Sequence, residues 1–127
     1  MPRVSAAFYA IAVFYLIVGM VAGLVMGAHE DFTLAPAHAH LNLLGWATTA
    51  LYGTFYALTR ETLSPGLAWA NFVASAAGVL TMVPALALTL AGRPGFGPLI
   101  GIGGMLALIG LMIFAISVVR ELVRKRA

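Results

Sequence analysis

Cysteine is absent from the 127 residues of this chain. Disulfides, thiolate metal sites, cysteine-ligated iron-sulfur clusters and cysteine nucleophiles are therefore excluded together. Histidine is left as the best metal ligand available. Charge is scarce as well, at 9% of residues against 62% hydrophobic, and the mean hydropathy is +1.02. That balance lies outside the range of soluble globular domains and marks an integral membrane protein, with membrane lipid as its surroundings and no room for a sizeable soluble domain. The net charge of +3 does not point to nucleic acid, because its positive residues sit at the ends of apolar runs, where they set topology.

A hydrocarbon core about 30 Å thick takes roughly 20 helical residues to cross, and the apolar runs suffice for four crossings. The expected fold is all-α, an integral membrane four-helix bundle, with spans at about 5–28, 37–59, 67–91 and 99–119 in a single domain. The first run is too long for the apolar region of a secretory signal and reads as a retained span. Its second half carries Gly19, Gly23 and Gly27 at intervals of four, a strip that would let a neighbouring backbone approach or leave room for a flat cofactor. The third span contains Pro84, a predicted kink. The segments RETLSPG (60–66) and GRPGFGP (92–98) are breakers between spans. Arg3, Arg60, Arg120, Arg124, Lys125 and Arg126 fall on one side of this arrangement and Arg93 alone on the other. The positive-inside rule then puts both termini in the cytoplasm, and in a bacterium the chain would lie in the inner membrane.

The chemistry concentrates at PAHAHLNLLGW, residues 36–46. Pro36 suits the first turn of a helix, and ionisable side chains within a span are by default functional candidates. His38 and His40 are two residues apart, so on a regular α-helix they point about 200° away from one another. One metal ion cannot easily take both. The His38 face continues through Asn42, Gly45, Thr49, Tyr52 and Tyr56, a polar stripe. The His40 face continues through Leu44, Ala47, Leu51 and Leu58, with Thr54 its one polar member. His38 is expected to look into a polar interior or another helix, and His40 into an apolar pocket or an interface.

Three readings of the pair are open on the residues alone. Both histidines could satisfy hydrogen bonds near the water boundary. They could be axial heme ligands, which needs an imidazole facing an apolar slot with its second nitrogen held by an acceptor. Or His29, Glu30, Asp31, His38 and His40 could together hold copper or zinc. Trp46 and Trp69 fit heme packing, an interface or ordinary core packing, and the methionines are potential thioether ligands or gap-fillers.

AHAHLNLLGW on the second of four spans resembles the small bacterial membrane proteins classed with the superfamily of heme-copper oxidase catalytic subunits, which includes the nitric oxide reductases. In that superfamily twelve spans form three groups of four, and a His-x-His pair on a second helix ligates two hemes on opposite sides of it. The resemblance implies a b-type heme held at His38 and His40 as metal ligands, with Asn42 and Trp46 beside it. It further implies an electron-transfer or oxidoreductase setting with a respiratory redox partner. The superfamily's copper site needs histidines on other spans, and the first, third and fourth spans here have none. Three copies of a four-helix chain would rebuild a twelve-helix ring, so a homotrimer is the preferred assembly. A heme or copper assembly module and a cofactor-free bundle remain as alternative functions.

Overall fold

The computed structural model describes residues 1–125, and every described helix is α-helical apart from one π-helical stretch; no strand occurs among these residues. Arg126, counted above among the topology-setting charges, lies outside the described residues. The first helix, α1 (Arg3–His29), leads into α2 (Ala35–His40), a π-helical stretch (Leu41–Thr48) and α3 (Thr49–Leu58), followed by α4 (Pro65–Leu90) and α5 (Gly97–Leu122). His40, Leu41, Thr48 and Thr49 all keep right-handed helical dihedrals. The three middle segments therefore run on as one rod.

α1, α4 and α5 are each long and apolar enough to cross a membrane, the build of a membrane helical bundle. The rod is the exception to the expected set of four uniform α-helical spans. Inside it the backbone widens to the π pattern, and the Thr48 and Thr49 hydroxyls donate to the Leu43 and Leu44 carbonyls five residues back, at 2.8 and 3.0 Å. Such widened turns are uncommon and collect at functional sites. Here it begins one residue after His40. Pro84 does not interrupt α4.

α1 buries Val4, Phe8, Ala12, Tyr15 and Gly19 along one stripe at helical spacing. The rod returns antiparallel to it: Gly53 lies against Phe8, Gly45 against Tyr15, Asn42 against Gly19 and His38 against Gly23. An aromatic cluster fills one half of the core. Phe8 stands 5.7 Å from Tyr52, 5.6 Å from Tyr56 and 5.2 Å from Phe72 between ring centroids, and Phe114 reaches over from α5 to within 4.6 Å of Tyr52. These separations and the mixed edge and stacked orientations suit the ring quadrupoles.

Within that cluster sits fully buried Asn71. Its Nδ2 donates to the Tyr56 hydroxyl at 3.0 Å, and its Oδ1 accepts from the Ser75 hydroxyl at 2.7 Å. Asn71 thus ties the rod to α4. Replacing it with Leu is expected to destabilise the protein by about 0.6–1.7 kcal/mol, the range for interhelical hydrogen bonds in membrane bundles. Thermal unfolding in a fixed detergent would check this, and an unchanged midpoint would mean that the bond contributes nothing.

α4 and α5 pack closest of all. A Cβ on Gly78 would lie 2.6 Å from the Ala107 nitrogen, and one on Gly103 would lie 2.5 Å from the Met82 nitrogen. Gly110 similarly makes way for Ser75 and Asn71. Backbone against backbone through small residues is the usual way helices adhere where lipid removes the hydrophobic drive. The strip on α1 behaves differently from expectation. Gly19 and Gly23 receive the side chains of Asn42 and His38 instead of a neighbouring backbone, and Gly27 faces open space.

Candidate functional site

Pro36 opens the rod at a first-turn position, where a missing N–H costs nothing. α1 closes just before it. Glu30 takes a left-handed conformation (φ +51°), and the Glu30 and Asp31 amides donate back to the Gly27 and Met26 carbonyls. In the connection the Thr33 hydroxyl and backbone amide both donate to Asp31 Oδ1, at 2.6 and 3.1 Å. Those two bonds hold the Asp31 carboxyl below the usual carboxylate range.

From this start the two histidines leave on different sides. His38 is half-buried and turns toward α1, its Cε1 where a Cβ on Gly23 would be 3.1 Å away. Its Nε2 is 3.2 Å from Asn42 Nδ2, one helical turn on. His38 Nδ1 and Asn42 Oδ1 are both buried without a hydrogen-bond partner. Two orphaned polar atoms four residues apart are an unusual expense in an apolar bundle, since each costs about 1–3 kcal/mol. An apolar cleft of about 320 Å³ adjoins His38, walled by Val18, Ala22 and Val25 of α1 and by Val83 and Ala87 of α4.

His40 is exposed, on the outward face of the rod. Its Nδ1 is 2.7 Å from the Pro36 carbonyl oxygen. A carbonyl can only accept, so Nδ1 is the donor of this bond, and in the neutral tautomer the lone pair is on Nε2. His29 repeats the arrangement on α1, with Nδ1 at 2.9 Å from the Val25 carbonyl. Below His40 the same face is apolar, Leu51 and Leu58 being 66% and 81% exposed.

The structure thus separates the sequence-predicted site into an inner and an outer part. His38 and Asn42 meet each other; His40 meets neither. Trp46 is half-buried in the π-helical stretch. Of the five residues considered for copper or zinc, no three come together, nor do any three His, Asp or Glu side chains among the described residues. The reason is local: His38 is turned inward, His40 is tied back to Pro36, and Asp31 is tied to Thr33.

Two features of the site region are not readable from residue spacing. The π-helical stretch changes the period just past His40, and the orphaned nitrogen of His38 results from packing against α1. Runs such as LNLLGWATT carry a weak signal for the former, in threonines able to reach a carbonyl five residues back.

No family model matches this chain, and neither a curated protein nor a solved structure is significantly similar to it. Its class is the one the helices define, a small membrane helical bundle, and the site has to speak for itself.

Proposed function

We propose that this chain is a multi-pass protein of the bacterial inner membrane, with both termini cytoplasmic, that binds a b-type heme through His40 and His38. The observation that carries the reading is His40: an exposed imidazole at the head of an apolar outward face, its Nδ1 held by the Pro36 carbonyl at 2.7 Å, which leaves Nε2 as the ligating nitrogen. Histidine ligands to metals almost always have their second nitrogen held in this way, which fixes tautomer and ring orientation and raises basicity.

His38 is the second ligand in this reading, on the opposite side of the rod. Using its Nε2 means releasing the Asn42 amide, and that amide and the orphaned Nδ1 give the inner site its spare hydrogen-bonding capacity. Pro36 orients, His40 ligates, and exposed Leu51 and Leu58 make the outer face below it apolar. Bound there, a heme would supply a one-electron iron couple, fitting a part in electron transfer beside a respiratory partner.

A porphyrin on the exposed side of His40 needs a second wall, and a further copy of the chain supplies one most economically. Three copies give the twelve-helix ring of the preferred homotrimer, with His40 of each rod facing a neighbour. The basic residues support the orientation. Arg3, Arg60, Arg120, Arg124 and Lys125 lie at one end of the bundle, and the histidines lie at the other with Arg93.

The test is an optical spectrum of the detergent-purified protein, oxidised and then reduced with dithionite, with heme quantified against protein. Sharp bands on reduction and near-stoichiometric heme are expected. A featureless spectrum that persists after heme supplementation would end the proposal.

A further inference from the structure

At the end of the bundle opposite the histidines, the last turn of α5 and the turn that joins α3 to α4 enclose a pocket of about 230 Å³. Its charged members are Arg120, Arg124 and Glu121. The Thr62 hydroxyl donates to Glu121 Oε2 at 2.8 Å and so occupies one carboxylate oxygen. The pocket therefore carries two guanidinium groups against one carboxylate that is already hydrogen-bonded, a surplus of one positive charge. Ser64 and Ser117 add hydroxyls to its lining, and Ser64 makes no capping bond to the α4 helix that follows it. Phe55 and Leu63, both packed on the aromatic core, form an apolar floor. Along α5 just beyond, Ile116, Val119 and Leu122 are 50%, 53% and 82% exposed, a continuous apolar track leading away from the arginines.

We propose that this pocket binds the head group of an anionic phospholipid, its phosphodiester held by Arg120 and Arg124 and its acyl chains lying along the outer face of α5. The charge surplus matches the single negative charge of a phosphodiester. A zwitterionic lipid brings no net charge and would leave the surplus uncompensated. Guanidinium is the side chain best shaped for phosphate oxygens, and the serine hydroxyls suit a hydroxylated head such as glycerol. The apolar floor and track distinguish a lipid from a free anion, which would gain nothing from Phe55, Leu63 or Leu122. The proposal is independent of heme, since it involves neither histidine.

The experiment uses the full chain, delipidated in mild detergent, with dioctanoyl phosphatidylglycerol as probe. Native mass spectrometry counts retained lipid, and thermal unfolding across a lipid titration gives the affinity. One tightly retained lipid per chain and a saturable rise in the unfolding midpoint are expected. The double variant Arg120→Gln, Arg124→Gln should bind at least about tenfold more weakly, because two charge-assisted hydrogen bonds are lost. Arg3→Gln with Lys125→Gln removes the same charge from the same end without touching the pocket, and should bind as the parent does. Equal weakening by both pairs would show diffuse attraction to the basic end and overturn the site. So would equal stabilisation by dioctanoyl phosphatidylcholine, or by inorganic phosphate at matched concentration. Both pairs alter exposed side chains, and their lipid-free unfolding midpoints should stay at the parent value.

Discussion

Replacing His40 with Ala is expected to yield an inserted, folded protein that has lost its heme. Loss of a group that merely supports a metal ligand weakens binding by about 10–100-fold. Loss of the ligand itself should exceed that, so affinity is expected to fall by more than about 100-fold. The fold should not notice the change. His40 is exposed, and its one hydrogen bond runs back to the carbonyl of Pro36 within its own helix, a setting in which substitutions typically alter stability by no more than about 0.5 kcal/mol. Heme content after purification, read from the reduced spectrum against protein, checks the result, and elution as a single species from a sizing column guards against misfolding. Added imidazole should restore part of the spectrum in His40→Ala, since it replaces the missing nitrogen and nothing else. His38→Ala differs in kind, because it also strands the Asn42 amide and opens space against Gly23. Full heme in both single variants would remove the axial-ligand assignment altogether.

How far the site could be read from sequence depended on which physical relation was local. The helical period alone sends His38 and His40 to different sides and predicts which residues follow each. The structure buries Gly45, Thr49, Tyr52 and Tyr56 on the His38 side and leaves Leu51 and Leu58 outside on the His40 side. The division holds at the two ends of the rod but not within the π-helical stretch, where Leu44, expected on the His40 side, packs against the inner cluster of Tyr15, Leu41 and Val79, because a wider turn changes which residues share a face. What lies across from each face was not legible, since partners are chosen by chain segments far away in sequence. Gly19, Gly23 and Gly27 look like a strip for a neighbouring backbone, yet they stand opposite Asn42, His38 and nothing. The backbone contact belongs to Gly78 and Gly103, which sit among other glycines and alanines with no spacing that singles them out. The pocket beside Arg120 likewise joins residues some sixty positions apart, as the bond from Thr62 to Glu121 shows. A basic tail predicts where a helix stops and says nothing about a cavity beside it.

That difference between the two sets of glycines leads to the second large effect. Gly78→Ala is expected to destabilise the bundle by about 3 kcal/mol, the upper part of the range for overpacking. The added Cβ would lie 2.6 Å from the Ala107 nitrogen and 2.8 Å from the Gly103 oxygen. Both are backbone atoms, so no rotamer change can relieve the clash and α5 as a whole must move. Against this stands the helix-propensity gain of Gly to Ala, about 0.5–1 kcal/mol, which is too small to compensate. Gly27→Ala supplies the comparison. A Cβ there meets nothing within 4 Å, so only the gain remains and the variant should be at least as stable as the parent. Unfolding midpoints in one detergent should therefore rank Gly27→Ala at or above the parent and Gly78→Ala well below it. A Gly78→Ala midpoint equal to the parent's would mean that α4 and α5 are not in contact through these residues. Heme content gives an independent axis. His40 lies on the outward face of the rod and touches neither α4 nor α5 through this contact, so at temperatures below its midpoint Gly78→Ala should keep the heme that His40→Ala loses. The two variants would then separate what holds the bundle together from what the bundle holds.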